Sequence, residues 1–138
     1  MDLSPTPTPP EQSGAFLRAL DLRLQELTAT RVVGSITLTA EHHTPWGIVH
    51  GGVHAAAIES AASLGASHAV ADAGQVAVGL TNTTHFLRPV TAGEVTVEAA
   101  ALHQGRGQQL WQVTVTDDRG RPVAHGEVRL QNVDATRA

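Results

Sequence analysis

Between His42 and Ala71 the chain carries one formally charged residue, Glu59. Ala55, Ala56, Ala57, Ile58, Ala61, Ala62 and Leu64 surround it, and a helix this apolar should be buried over most of its surface. An unpaired carboxylate buried there costs several kcal/mol, roughly, unless something offsets its lost hydration. Two readings follow. Glu59 points to solvent along a narrow polar stripe with Ser60, Ser63 and Ser67, or it lines a wetted cleft and works as a nucleophile or general base. The same segment opens with His50-Gly51-Gly52. Glycines at a helix start let a ligand approach backbone N–H groups that have no intrahelical acceptor, and the helix dipole favours negative charge there. That end could hold an oxyanion, although glycines also open many helices for packing reasons. The eight residues from Gly51 to Glu59 span about 12 Å of helix, too far for one carbonyl to touch both. A site using both groups therefore draws them from two copies of the chain.

Other chemistries are set aside by what the chain contains. It has no cysteine, which removes disulfides, thiolate nucleophiles and Cys-based zinc sites. His42, His43, His54, His68, His85, His103 and His125 are scattered over different segments. His50 and His54 share a helix, but the acid that would complete a ligand set is Glu59, so no metal site is expected. No GxSxG serine elbow occurs. The net charge is -4, with 9 Lys+Arg and no basic run, so neither nucleic acid nor an anionic membrane is an expected partner. Nothing resembles a signal peptide or a spanning segment, and a soluble cytoplasmic protein is the expectation.

These residues need elements to hold them. The 138 residues suit one domain. Residues 1–10, which include the Pro-rich run SPTPTPP, read as a disordered leader, and 11–138 as the domain. Only 16% of residues are charged, which suits a surface partly hidden by self-association. A short helix is expected over 11–20, with Phe16, Leu17 and Leu20 as its apolar edge, and a strand over 31–40. A loop over 41–49 leads into the Ala-rich helix at 50–68. Strands follow over 75–87, 94–104, 108–116 and 122–131, with Asp117-Asp118-Arg119-Gly120 as a hairpin turn. The order predicts an α+β domain in which one long helix packs on a curled antiparallel sheet, the last four strands forming a meander.

Trp46-Gly47-Ile48-Val49-His50-Gly51-Gly52, followed by Glu59 and Ser63, resembles the hotdog thioesterase superfamily. The nearest branch holds the 4-hydroxybenzoyl-CoA, 1,4-dihydroxy-2-naphthoyl-CoA and PaaI-type thioesterases. The resemblance runs through Ala77-Val78-Gly79, Asn82-Thr83-Thr84, Phe86-Leu87-Arg88-Pro89-Val90 and Gly105-Arg106-Gly107, roughly residues 31–131. It implies a hotdog fold, a long central helix wrapped by a curved antiparallel sheet. It also implies hydrolysis of an acyl-CoA thioester, aryl or short to medium acyl, to the free acid and coenzyme A. Glu59 would be nucleophile or general base, Gly51 or Gly52 would donate an N–H to the thioester oxygen, and His50 would polarise or orient that oxygen. Ser63 would position the water or the carboxylate. Asn82, Thr83 and Gly107 fall on the substrate and coenzyme A side, and Arg88 and Arg106 match positions near the coenzyme A phosphates. Relatives carry Gln or Asn where this chain has Thr44, whose single hydroxyl is shorter, and the neighbouring His43 is the candidate substitute. The resemblance implies no cofactor beyond the coenzyme A of the substrate, and a homodimer with shared active sites, paired into a homotetramer. Alternatives are a hotdog enoyl-CoA hydratase or dehydratase, which needs an Asp/His pair, and a non-catalytic acyl-CoA-binding protein.

Overall fold

The computed structural model describes residues 14–136. The expected leader and the first three residues of the expected N-terminal helix lie outside them. Helix α1 (Ala15–Leu20) ends where Asp21 takes a left-handed conformation, φ 55. Of its apolar edge, Leu20 is buried, while Phe16 and Leu17 are exposed.

Strands β1 (Arg23–Leu27) and β2 (Arg31–Leu38) follow as an antiparallel pair. β2 stops at Leu38 because Thr39 turns the chain into a short 3-10 segment, Ala40–His42, capped by its own hydroxyl. Helix α2 (Gly51–Val70) is the long central element. Four strands complete the chain: β3 (Gln75–Phe86), β4 (Gly93–Gln104), β5 (Gln108–Thr116) and β6 (Pro122–Asp134).

All six strands form one antiparallel sheet in the order β1-β2-β4-β5-β6-β3. The expected four-strand meander is therefore only three strands long. β3 does not pair with β4. It crosses to the far side, pairs with β6, and leaves its other edge unpaired in the chain. The crossover lets α2 lie over the concave face between β2 and β3.

That face supplies the core: Val32, Ile36, Val97, Val113, Val128 and Leu130 from the sheet, against Ala57, Ile58, Ala61, Ala62 and Ala66 of α2. Small helix residues let the strands approach closely, and the largest buried side chain, Trp111, sits directly beneath the helix. A Cβ on Gly65 would stand 2.5 Å from its ring. The indole N–H donates to Gln109 Oε1 at 2.9 Å, and Gln109 Nε2 donates to the Ala66 carbonyl and to Asn132 Oδ1, each at 2.9 Å. Asn132 Nδ2 donates to the carbonyls of Gly105 and Arg106, both at 3.2 Å. A buried polar chain thus ties the β4–β5 turn to the C-terminal part of α2.

β3 contains a one-residue bulge. Gly79 pairs with Leu130 and Thr81 with Arg129, leaving Leu80 unpaired. Side chains alternate faces along a strand, so a bulge changes which residues look inward.

Candidate active site

The loop before α2 is pinned on several sides. His43 bridges to Val49, and the Val49 N–H donates to the Val90 carbonyl at 2.9 Å. Behind it the buried His42 uses both ring nitrogens. Nδ1 accepts from the Thr39 N–H at 3.0 Å, and Nε2 donates to the Ala19 carbonyl at 2.8 Å. The His42 carbonyl accepts from the His50 N–H at 2.8 Å, so a fixed support carries the turn that opens the helix.

At that turn His50 Nδ1 accepts from the Gly52 N–H at 2.7 Å. This cap occupies one of the two amides that the sequence offers a ligand. The Gly51 N–H has no acceptor among the described residues and remains as the free donor. Both glycines also sit in close contact with a neighbouring ring. A Cβ on Gly51 would stand 3.0 Å from the Phe86 ring, and one on Gly52 would stand 2.8 Å from His50 Nδ1.

Glu59 is exposed in the single chain, contrary to the burial that its apolar neighbours suggest. α2 turns His54, Ala57, Ile58, Ala61 and Ala62 inward and leaves Glu59 beside β3, whose outer edge is unpaired in the chain. The carboxylate lies over Gly79, where a Cβ would stand 3.7 Å from Glu59 Cδ. Asn82 Nδ2 donates to the Ala55 carbonyl at 3.0 Å and lies 3.5 Å from Glu59 Oε1. Thr84 Oγ1 donates to Asn82 Oδ1 at 2.7 Å.

Ser63 is half-buried one turn after Glu59. Ser67 is not part of any wet stripe, because its hydroxyl accepts from the Ala77 N–H at 3.0 Å and fastens α2 to β3. Thr44 Oγ1 accepts from the Trp46 N–H at 3.2 Å. The ring of His43, the candidate substitute for the missing amide, donates through Nε2 to the Thr91 carbonyl at 2.6 Å instead.

The residues expected on the coenzyme A side are dispersed. Asn82 faces α2, whereas Thr83 points to the outer face of the sheet, in a cleft with His85, His125 and Glu127. The Arg88 N–H donates to the Val123 carbonyl, while Gly107 is held at the other end of β6 by the Asn132 N–H. The nine-residue separation of Val123 and Asn132 corresponds to about 30 Å of strand. One chain therefore does not bring Arg88 and Arg106 to one phosphate group. Both arginine side chains are exposed.

Sequence reasoning named Asn82 only on the substrate and coenzyme A side and gave Gly79 and Thr84 no role, so their grouping beside Glu59 is what it missed. Their signal is the bulge at Leu80, which interrupts the period of two and is silent in a residue-by-residue reading. No three metal-ligating side chains cluster among the described residues.

The family model for the thioesterase superfamily matches residues 47–124, from the turn before His50 to the start of β6. The chain belongs to the thioesterase superfamily. This thioesterase is 42% identical to Rv1847 of Mycobacterium tuberculosis over 135 residues, 94% of each chain. The solved structure of that protein superposes with a TM-score of 0.84 over 86% of this chain and 96% of its own. The proofreading thioesterase EntH of Klebsiella pneumoniae is 38% identical over 96 residues, 69% of each chain. The 1,4-dihydroxy-2-naphthoyl-CoA hydrolase of Listeria monocytogenes is 34% identical over 88 residues, 64% of this chain and 71% of its own. The thioesterase is a thioester hydrolase with the hotdog fold anticipated from its sequence. No helix among its described residues is long and apolar enough to cross a membrane.

Proposed function

We propose that this thioesterase hydrolyses an acyl-CoA at a site shared between two copies of the chain, with Glu59 supplying the carboxylate. One observation carries the reading. The only acid on α2 lies exposed over β3, the strand that ends the sheet, while the Gly51 N–H stands free two turns away on the same helix. A second copy paired along β3 closes that edge, and it faces each Glu59 with another copy's Gly51 turn. Exposed Val78 and Leu80 on the edge strand give such a contact its apolar surface.

The chemistry needs no metal. The Gly51 N–H holds the thioester oxygen as negative charge develops on it, helped by the positive end of α2. His50, its Nδ1 already engaged, has Nε2 left to orient that oxygen. With Ser63 alongside, Glu59 either takes a proton from the water that attacks the carbonyl carbon, or attacks it directly to form an anhydride that water then hydrolyses; the coenzyme A thiolate departs in both. Thr44, with its hydroxyl in the loop turn, plays the smaller part of shaping the wall.

Coenzyme A is the thiol component because the resemblance and the Listeria relative's named substrate class both point there. An antiparallel pairing of two β3 edges brings the Arg88 end of one copy to the Arg106 end of the other. Arginines that stand about 30 Å apart in one chain then meet at one phosphate site, with Thr83 and Gly107 nearby.

The test is Glu59→Gln, assayed by thiol release across aromatic and aliphatic acyl-CoAs. Turnover is expected to fall by about a hundredfold or more on every substrate the parent accepts, with melting temperature retained. Full turnover by the variant overturns the assignment.

A further inference from the structure

We infer that Asn82 and Thr84 form a positioning pair that sets the orientation of the Glu59 carboxylate. The inference rests on Glu59 being the working acid.

The orientation of the Asn82 amide is dictated by its partners. The Ala55 carbonyl can only accept, so it takes the Nδ2 end of the amide at 3.0 Å. The Thr84 hydroxyl, 2.7 Å from Oδ1, donates to the opposite end. With both ends specified, the second Nδ2 hydrogen is directed at Glu59 Oε1, 3.5 Å away. That contact is long in the single chain, at the outer limit of a hydrogen bond. Its geometry nonetheless selects one carboxylate oxygen. Oε1 takes the contact with Asn82, and Oε2 is left for the attack or for the proton of a water.

The backbone supplies the second, independent support. In a regular strand Gly79 and Asn82, three residues apart, would face opposite sides. The bulge at Leu80 places both on the face toward α2, since Gly79 pairs with Leu130 and Asn82 with Val128, whose side chains are both fully buried. Gly79 contributes space for the carboxylate, and Asn82 contributes a donor. Bulges of this kind re-aim side chains beside functional sites. Asn82 is thus a support for the acid rather than a residue on the coenzyme A side.

Thr84 makes its side-chain hydrogen bond to Asn82 and none to the acid. It acts through Asn82 alone, and that makes the pair testable. Asn82→Ala, Asn82→Asp, Thr84→Val and Thr84→Ser are compared with Glu59→Gln by steady-state thiol release and thermal melting. Asn82→Ala should lower kcat by about tenfold, the loss of one charge-assisted hydrogen bond, with KM little changed. Asn82→Asp keeps the shape but presents an acceptor to the Ala55 carbonyl and to Glu59, and should lower kcat further than the alanine. A packing role predicts the reverse order. Thr84→Val should lower kcat in the parent but add nothing in the Asn82→Ala background, and Thr84→Ser should restore it. Equal effects of Thr84→Val in both backgrounds, or an Asn82→Asp variant more active than Asn82→Ala, overturn the inference. If Asn82 variants do not fold, the Thr84→Val and Thr84→Ser pair decides alone: unchanged kcat in Thr84→Val overturns it. Should Glu59→Gln stay active, the underlying assignment of the acid has failed. Should it be inactive while these variants match the parent, only the positioning role has.

Discussion

At the residue scale the helix start is a place where each side chain has one job that excludes another. His50 caps the Gly52 amide and so withdraws it from any ligand. His54, one turn on, is buried against Phe86, their ring centroids 6.4 Å apart. Burial holds the His54 imidazole below its ordinary value of 6.5, because charging it there forfeits hydration. The sign of the consequence follows from linkage. Below that value the unfolded chain binds a proton that the native chain still refuses, so stability present above it is lost as pH falls through 6.5 toward the native value. Melting temperature measured across this range should decline toward acid, and His54→Gln should flatten the decline; an equal slope in the variant places the proton uptake elsewhere. The window is separate from that of Asp117, which the Arg121 backbone N–H, foremost, holds below 3.8. Its contribution disappears only in stronger acid.

Elements show how much of the molecule the sequence reveals. The Ala-rich run over 50–68 is visible as a helix, and the structure places it at Gly51–Val70. Alternation exposes β5 over its full length. β1 goes unread because Arg23–Leu27 is only five residues long and broken by a bulge after Leu24, too short for a period to register. The position of β3 is a different kind of failure. Its residues show that it is a strand, but nothing in them says whether β4 or β6 lies alongside, since strand order depends on the whole sheet. Helix and sheet meet most tightly at Gly65 over Trp111, a contact that spacing along the chain does not announce. Gly65→Ala should cost about 1–3 kcal/mol of unfolding free energy by overpacking. Denaturant unfolding should show it, with Trp111→Phe in the same chain recovering part of the loss. A neutral Gly65→Ala would mean that α2 can lift from the sheet without penalty.

For the whole molecule, the apolar run around Glu59 misleads when read for one chain and fits the pairing of two proposed above. It predicts a buried acid, and the single chain leaves that acid exposed at the one side of the sheet where β3 has no neighbour. The opposite edge, β1, is short and carries Arg23, Gln25 and Glu26, which discourages a further strand from adding there. β3 presents Val78 and Leu80 instead. Leu80→Asp should therefore shift the molecule toward single chains in sedimentation equilibrium, and thiol release should fall in step because the proposed site draws on both copies. A variant that stays assembled and active would locate the contact on another surface. The acid and the glycine turn were legible residue by residue; what stayed hidden was which of their neighbours the folded sheet would bring to them.

Leu80 has a consequence beyond the contact it offers. Loops absorb an inserted or deleted residue with little effect, but β3 is read in two frames, one up to Gly79 and another from Thr81 onward. Drawing that single leucine into the ladder as an ordinary paired residue would merge the frames. Gly79 would keep its place over the acid, while Asn82, Thr84 and Phe86 would rotate out toward solvent and Thr83 and His85 would swing in beneath the helix. The spare residue in this strand works as a parity switch, and this inner surface exists only while the ladder skips it.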